Sequence, residues 1–270
     1  MLADFPELRD IPSPSSSGSS SPALDSNTLA LLDDFFSAKA EEEQRFSDLV
    51  RATHDLDVDD DEHDRKPSAP ARMMSVDEYR IAFGEDWQLS QFWYSARFAR
   101  RLARAIHSLV DPETIIAFMC CPTAYVGFQH EYLHPGARLL EVDPRFDLLA
   151  RSQFVRYDLY APEKLPEDLR GTVGVAVVDP PFLNEDTNAK VIAALKLLLA
   201  PNAKLLILTG TSTEPILERL YNAPPLGPLV RTALEVKHEG GRLSNDFGCW
   251  GSWPESKDLG RDVSDDDDDP

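Results

Sequence analysis

Short apolar runs alternate with segments of helical periodicity between residues 114 and 221, and this alternation restricts the fold more than any other feature of the sequence. Strand–helix alternation favours a mostly parallel, doubly wound sheet with helices on both faces. Two more strand-like runs follow at 230–238 and 247–253 with no helix between them. We therefore predict an α/β fold with a mostly parallel seven-stranded sheet. The other five strands are expected at 114–119, 138–142, 153–157, 173–178 and 204–209, and helices at 125–134, 188–199 and 214–221.

The acidic residues are concentrated outside this alternating region. Of a net charge of −20, residues 1–70 carry 17 acidic and 6 basic side chains, and residues 255–270 carry 8 and 2. Highly charged or Ser/Pro-rich segments bury too little apolar surface to order themselves. The predicted organisation is a disordered Ser/Pro-rich tail over 1–24, an N-terminal helix over 25–50, an acidic linker over 51–72, a folded domain over 73–254 and an acidic disordered tail over 255–270.

The charge distribution also limits the classes of partner. Proteins that bind nucleic acid through its phosphates usually present a basic surface, whereas the folded region here is close to neutral. One basic stripe, on a helix predicted over 95–110, is either a solvated face or a docking stripe for an acidic partner. Its members are Arg97, Arg100, Arg101 and Arg104. Nucleic acid is therefore a disfavoured partner.

The cysteines and the apolar runs bear on location. Cys120, Cys121 and Cys249 show neither zinc-ligand spacing nor the even pairing of a disulfide framework, so we expect reduced thiols and no metal. No apolar stretch approaches the roughly 20 residues that a membrane span requires. The amino terminus lacks the basic segment and apolar run of a secretory signal. We expect a cytoplasmic protein without membrane contact.

Acidic residues stand at the ends of three predicted strands. Asp143, Asp158 and Asp179 follow the second, third and fourth strands in the chain. Ligands of open parallel sheets bind beyond these carboxyl ends. Asp143 is placed to accept hydrogen bonds from two ribose hydroxyls, and Asp158 to accept one from an adenine amino group. For each of these two, a capping or surface role is the alternative.

The sequence Asp179-Pro180-Pro181-Phe182 indicates a site for an amine. Two prolines fix the backbone after the strand, so the loop is stiff. The Asp179 carboxylate and the Pro180 carbonyl could then converge on one amine, which Phe182 would cover. Such a site orients a nitrogen lone pair toward an electrophilic methyl group, which is catalysis chiefly by positioning. A plain turn that ends the strand is the alternative.

Two further segments are unusual. Residues 85–94 contain several large aromatic side chains, which either pack on the sheet or line a ligand pocket. The first strand leads into Cys120-Cys121-Pro122 and not into a Gly-x-Gly-x-Gly loop, so the sequence fails the generic test for a glycine-rich nucleotide site. We expect packing roles for Cys120 and Cys121 themselves, since no nearby base would activate a thiol.

Six sequence blocks together resemble one family closely, the eukaryotic elongation factor 1-alpha lysine methyltransferases, earlier labelled as N6-adenine-specific DNA methyltransferase-like. The blocks are DWQLSQFWYS at 86–95, CPTAY at 121–125, EVDPRF at 141–146, FVRYDLY at 154–160, VVDPPF at 177–182 and SNDFGCW at 244–250. In that family the Cys-Pro loop stands where the glycine loop would be. The acidic linker and the terminal Asp run are extra to the family pattern.

The resemblance implies a Rossmann-like class I methyltransferase with S-adenosylmethionine as the methyl donor. It assigns the acceptor site to Asp179, Pro180, Pro181 and Phe182, with Trp87 also binding substrate. It assigns donor binding to Cys121, Pro122, Asp143 and Asp158, with Ser90, Gln91, Phe92 and Trp93 closing over the donor.

Three functions are compatible with these residues. The favoured interpretation is a monomeric protein-lysine N-methyltransferase acting on elongation factor 1-alpha. The first alternative is N6-adenine methylation of DNA or RNA, because an adenine amino group needs the same acceptors and the same aromatic ring. A flipped base must also be held and its context read, and the sequence leaves no inserted recognition domain for that. The second alternative is a catalytically silent donor-binding scaffold, which an intact Asp-Pro-Pro-Phe motif disfavours.

Overall fold

The computed structural model describes residues 73–86, 88–239 and 245–261, together with four single residues nearer the amino terminus. The chain divides into two units, Met1–Glu43 and Gln44–Pro270, and the fold below is that of the second. The four single residues are helical and fall within the helix predicted over 25–50: Asp33, Ser37, Ala40 and Gln44. The rest of that helix, the predicted linker over 51–72, the tail over 1–24 and most of the tail over 255–270 lie outside the described residues. The domain boundaries stay predictions.

The predicted seven-stranded α/β sheet is confirmed. Its strands are β1 (Ile115–Met119), β2 (Ala137–Glu141), β3 (Phe154–Arg156), β4 (Val173–Val178), β5 (Leu199–Gly210), β6 (Val230–Arg231) and β7 (Phe247–Gly251). The spatial order is β3-β2-β1-β4-β5-β7-β6. The five strands from β3 to β5 are parallel, while β7 is antiparallel to both β5 and β6.

Helices cover both faces of this sheet. They are α1 (Val76–Ala82), α2 (Ala96–His107), α3 (Pro122–Tyr132), α4 (Asp147–Ala150), α5 (Glu185–Leu198) and α6 (Glu214–Leu220). Short 3-10 turns lie at Pro144–Phe146, Arg151–Gln153, Pro162–Lys164, Glu167–Leu169, Thr211–Thr213 and Pro254–Asp258. Within the described ranges, no helix combines the length and apolar character needed to cross a membrane.

Alternation of side chains along the strands divides the core into two layers. In β5, Leu206 and Leu208 pack with the buried residues of α2 and α3. Leu205 and Ile207 point the other way and pack with Leu195 and its neighbours on α5. Successive strand residues face opposite sides, so one strand can serve both layers. The sheet is therefore buried on both faces, as its continuous apolar runs predicted.

The long helix α2 follows its sequence pattern. Ser95 caps it by accepting a hydrogen bond from the backbone NH of Phe98, at 3.2 Å. Its apolar face is buried as expected, with Phe98, Leu102 and Ile106 in the core. Ala99 lies against Gly127 of α3, where an added Cβ would stand 3.1 Å from the Ala99 Cβ. Glycine therefore lets the two helices approach closely.

The largest departure from the predicted elements is the sixth strand, which was expected over 230–238 and pairs in the sheet only at Val230–Arg231. Residues 237–239 instead bond to the segment that precedes α2. Ser95 NH donates to the Lys237 carbonyl at 2.9 Å, and Glu239 NH donates to the Trp93 carbonyl at 3.0 Å. Leu234 and Val236 of this stretch are buried in the core layer that contains α2 and α3, although the stretch is not a strand of the sheet.

Candidate active site

A cavity of about 200 Å³ opens at the carboxyl ends of β1 to β4, where ligands of parallel sheets bind. Five stretches line it: the loop before α2, the turn after β1, the end of β2, the end of β3, and the motif after β4. The lining residues are Leu89, Ser90, Gln91, Phe92, Trp93, Tyr94, Cys120, Cys121, Pro122, Thr123, Glu141, Val142, Tyr157, Asp158, Leu159, Tyr160, Asp179, Pro181 and Phe182. Most of the residues predicted to form the site therefore meet in one place.

The motif after β4 presents its carboxyl group to this cavity. The Oδ2 atom of Asp179 accepts a hydrogen bond from the Tyr94 hydroxyl at 2.5 Å. Burial raises the pKa of Asp179 to about 7, with Glu141 also raising it and the Tyr94 hydrogen bond lowering it. Pro181 lines the cavity, whereas Pro180 is buried and is not part of the lining. Phe182 stands at the mouth with 42% of its surface exposed.

The turn after β1 achieves a glycine-like conformation without glycine. Cys120 adopts φ 56°, in the left-handed region that glycine usually occupies. Cys121 then stands at the amino end of α3, and its thiol donates to the Val177 carbonyl at 3.3 Å. Pro122 begins the helix. Burial raises the pKa of both thiols, so neither has the character of a nucleophile.

Asp143 lies beside the cavity wall and is not among the residues that line it, so its role as a ribose ligand stays a prediction. Its carboxylate accepts a hydrogen bond from Gln91 Nε2 at 3.3 Å and forms an ion pair with Arg145 at 2.8 Å. The acid that lines the cavity at the end of β2 is Glu141, whose pKa burial raises to about 7. The geometry favours Glu141 over Asp143 as a ligand contact.

The end of β3 supplies a polar and apolar rim around Asp158. Asp158 is exposed at the cavity, where its Oδ1 accepts a hydrogen bond from the Tyr160 backbone NH at 2.8 Å. Leu159 and Val142 flank it. The Tyr160 ring is 76% exposed, and the Lys190 ammonium lies 4.1 Å from its centroid. This edge therefore offers apolar surface to a flat ligand and an acceptor to its edge.

The segment before α2 forms the remaining wall. Ser90 has φ 55°, a conformation that non-glycine residues adopt rarely and that tends to mark functional loops. Gln91 reaches the Asp143 and Arg145 pair, and Phe92 lines the cavity. Trp93 lines it as well, while its indole NH donates to the Phe83 carbonyl at 2.7 Å. The aromatic block over 85–94 therefore both lines the cavity and packs in the core.

Trp87, predicted to bind substrate, lies outside the described residues. Several residues that line the cavity are not among those predicted from the sequence, including Tyr94, Glu141 and Tyr157. The sequence places Tyr94 in an aromatic block but does not predict its contact with Asp179. It favours Asp143 over Glu141, because Asp143 fits the usual strand-end position. The signal that separates the two acids is the arginine at position 145, close enough in sequence to neutralise Asp143.

The charge of the cavity is one-sided. Its carboxyl groups are Glu141, Asp158 and Asp179, and no Lys, Arg or His occurs among the described residues that line it. A site of this composition favours cationic ligands over phosphates, because like charge repels a phosphate group and attracts an ammonium or a sulfonium. Among the described residues, no cluster of three His, Cys, Asp or Glu side chains is arranged to hold a metal ion.

Comparison with known proteins indicates the family to which this chain belongs. The model of a family described as probable N6-adenine methyltransferase matches residues 85–255. The protein-lysine N-methyltransferase EFM5 of Saccharomyces cerevisiae is 32% identical over 246 residues, which cover 85% of this chain and 91% of the yeast protein. A protein-lysine N-methyltransferase of Dictyostelium discoideum is 34% identical, with 68% of this chain and 83% of that protein covered.

A third relative, the EEF1A lysine methyltransferase 1 of Bos taurus, is 28% identical over 85% of this chain and 86% of its own length. The matched region spans the segment before α2 and every strand of the sheet, so it includes all the residues that line the cavity. The chain belongs to the protein-lysine N-methyltransferase family that these relatives represent, and the family resemblance predicted from its sequence blocks is confirmed.

Proposed function

We propose that this protein transfers the methyl group of S-adenosylmethionine to a lysine side chain of elongation factor 1-alpha. The proposal is supported by the relatives named above, two of which carry protein-lysine methylation and one of which carries EEF1A in their names. Within the molecule, the proposal rests on the charge of the cavity. Three carboxyl groups line it, and none of the described lining residues is Lys, Arg or His. Both the donor sulfonium and a lysine ammonium are cations.

The residues of the cavity fit such a donor. S-adenosylmethionine supplies an electrophilic methyl group on a positively charged sulfur. Glu141 offers a buried carboxylate for ribose hydroxyls, and Asp158 an exposed one for an adenine amino group. Val142 and Leu159 provide apolar surface beside them. The buried hydroxyl of Tyr157 has no hydrogen-bond partner among the described residues and is available to a ligand.

Asp179 and Phe182 would act on the acceptor. A lysine amine must be neutral for its lone pair to attack, and neutralising a group of pKa about 10.4 near pH 7.4 costs roughly 4 kcal/mol. The apolar rim that includes Phe182 lowers that cost by desolvation. A carboxylate whose own pKa is about 7 is suited to accept the amine proton or its hydrogen bond near neutral pH. The nitrogen then forms its bond to the methyl carbon as the carbon–sulfur bond breaks.

Adenine methylation is the competing function, and the description of the matching family keeps it in view. A flipped adenine would bring its own phosphates to the mouth of the site. The three carboxyls that line the cavity oppose such a ligand, and Lys190 is a basic group that lies against its rim. The charge of the site therefore supports a protein acceptor.

The test offers both acceptors at once. Purified protein is incubated with labelled S-adenosylmethionine, unmethylated elongation factor 1-alpha, and duplex and single-stranded DNA and RNA. We expect label in the protein acceptor, on a lysine located by mass spectrometry. Label confined to nucleic acid would support the adenine function instead. Tight binding of S-adenosylhomocysteine without any transfer would support a silent scaffold. An Asp179→Asn variant serves as the inactive control.

A further inference from the structure

Tyr94 is joined to the candidate acceptor carboxylate across a long stretch of sequence. Its hydroxyl donates to Asp179 Oδ2 at 2.5 Å, although the two residues are 85 positions apart. Among the described residues, the Tyr94 hydroxyl is the only group that donates a hydrogen bond to the Asp179 side chain. The two prolines that follow Asp179 stiffen the backbone but do not set the side-chain torsions. The orientation of the carboxyl group therefore depends on Tyr94.

Tyr94 is itself held firmly from two sides. Its backbone forms an antiparallel bridge with His238, and the adjacent Ser95 NH donates to the Lys237 carbonyl. Its ring, only 1% exposed, packs edge-on against Phe98 and at a tilt against the His238 ring, each with centroids 5.2 Å apart. A side chain locked in this way can hold a partner within the fraction of an ångström that positioning catalysis requires.

We propose, resting on the function proposed above, that Tyr94 is a positioning residue for methyl transfer. Its hydroxyl donates a hydrogen bond to Oδ2 of Asp179 and so fixes the plane of the carboxylate. Oδ1 then remains to accept a hydrogen bond from the acceptor amine. Tyr94 thus acts through Asp179 and not on the methyl group. Its removal should disturb the rate of transfer far more than the binding of either substrate.

The decisive variant is Tyr94→Phe, which keeps the ring between Phe98 and His238 and removes only the hydroxyl. We expect kcat to fall by about 10- to 100-fold, while the Kd of S-adenosylhomocysteine and the KM for the protein acceptor stay within about threefold. Tyr125→Phe is the matched control, because its hydroxyl donates to Gln153 at 2.6 Å away from the cavity. That variant should keep wild-type kcat.

The pH profile separates positioning from a merely structural role. The Tyr94 hydrogen bond lowers the pKa of Asp179, so its loss should move the acid limb of kcat toward higher pH. The other titratable groups near the pair are Glu141, Cys120, Cys121, Cys249 and His238. Raised thiol pKa values and the lowered pKa of His238, about 4, keep those four groups neutral near pH 7. Glu141 titrates in the same range in wild type and in Tyr94→Phe, so the test is the displacement of the acid limb between the two proteins and not its absolute position.

A second measurement does not depend on activity. Urea unfolding of Tyr94→Phe, Asp179→Ala and the double variant should show non-additive midpoints, because either single change already breaks the hydrogen bond. Additive midpoints, or a Tyr94→Phe variant with wild-type kcat and an unmoved acid limb, would overturn the proposal. If wild-type protein methylates nucleic acid only, the proposed function fails, and the same variants are then compared on that acceptor.

Discussion

Two carboxyl groups of the cavity, Glu141 and Asp179, have pKa values raised to about 7 by burial. Carboxyl groups on a protein surface have pKa values of about 4 and are therefore fully ionised at pH 7. Groups poised near neutrality are common where proteins bind cations or move protons. Asp143 shows the contrary case, because its hydrogen bonds and ion pair with Arg145 hold its pKa below the usual value. At the scale of single residues, the charge of the partner Arg145 distinguishes Asp143 from the two acids that line the cavity.

Asp179→Asn tests the role of the carboxylate. The amide keeps the size of the side chain and can still accept the Tyr94 hydrogen bond, but it carries no negative charge. We expect methyl transfer to fall by about 10²- to 10⁴-fold, the usual effect of losing a positioned base. S-adenosylhomocysteine should bind within a factor of a few, as measured by calorimetry. Full activity of this variant would contradict the acceptor role of Asp179.

Glu141→Gln and Asp143→Asn together decide which acid meets the donor. If Glu141 holds the ribose, its amide variant should lose at least about tenfold in affinity for S-adenosylhomocysteine, since hydrogen bonds to charged groups contribute roughly 1.5–3 kcal/mol each. Asp143→Asn should chiefly lower stability, because Arg145 loses its ionic partner. Calorimetry and urea unfolding measure the two effects. The reverse pattern would restore the assignment made from sequence.

At the scale of elements, the sequence predicts strands and helices well where burial alone decides. Strand β4 has the predicted bounds, 173–178, because a run of small apolar residues has no other place than the sheet centre. The sequence predicts the start of α5 at residue 188, three residues after its actual start. Asn184 caps the helix by accepting from the Thr187 NH, a polar signal that precedes the apolar pattern. The short β6 is not predictable from local sequence, since residues 237–239 bond to residues 93–95, a tertiary contact, instead of extending the strand.

The site follows the same division. The strand-end position of Asp179 is set by local sequence and was predicted, and the cavity includes it. The Tyr94 contact joins the segment before α2 to the end of β4, and no local pattern encodes which hydroxyl will reach which carboxylate. The left-handed turn at Cys120 is likewise invisible to a search for glycines, because tertiary packing imposes a conformation that the residue does not favour alone.

Gly127→Val tests the close approach of α2 and α3. An added Cβ would already stand 3.1 Å from the Ala99 Cβ, and the methyl groups of valine would come closer still. We expect a loss of about 1–3 kcal/mol in unfolding free energy, the usual cost of overpacking. Glu131→Val, at an exposed position of the same helix, is the control for valine in a helix. Partial recovery by Ala99→Gly would show that this contact is the cause.

At the scale of the whole molecule, an apolar layer covers each face of the sheet, and the cavity lies at the carboxyl ends of β1 to β4. Acids held there are ionised only at a cost, because burial disfavours the charged form. Ionising Glu141 and Asp179 therefore costs free energy in the protein alone, and a bound cationic donor would lower that cost. Stability and function are coupled through Glu141 and Asp179, and the coupling should be visible in the pH dependence of unfolding.

The folded-state pKa of each carboxyl, about 7, exceeds its unfolded value near 4. The folded protein then binds more protons than the unfolded chain between those values, so stability falls as pH rises through this window and levels off above about 7. His238, with its pKa lowered to about 4, has the opposite effect below about 6.5, but it is one group against two. The loss is therefore expected chiefly between pH 5 and 7.

Asp179→Asn removes one of these two carboxyls and should be more stable than wild type in the ligand-free state. The gain should be about 2 kcal/mol larger at pH 8 than at pH 5, because wild type loses its contribution over that interval and the amide does not titrate. Urea unfolding at the two pH values measures the difference. Saturating S-adenosylmethionine should narrow the gap, since a cation beside Asp179 favours the ionised carboxylate. A gain that is equal at both pH values would mean that Asp179 is ionised throughout and that its burial is matched by polar contacts.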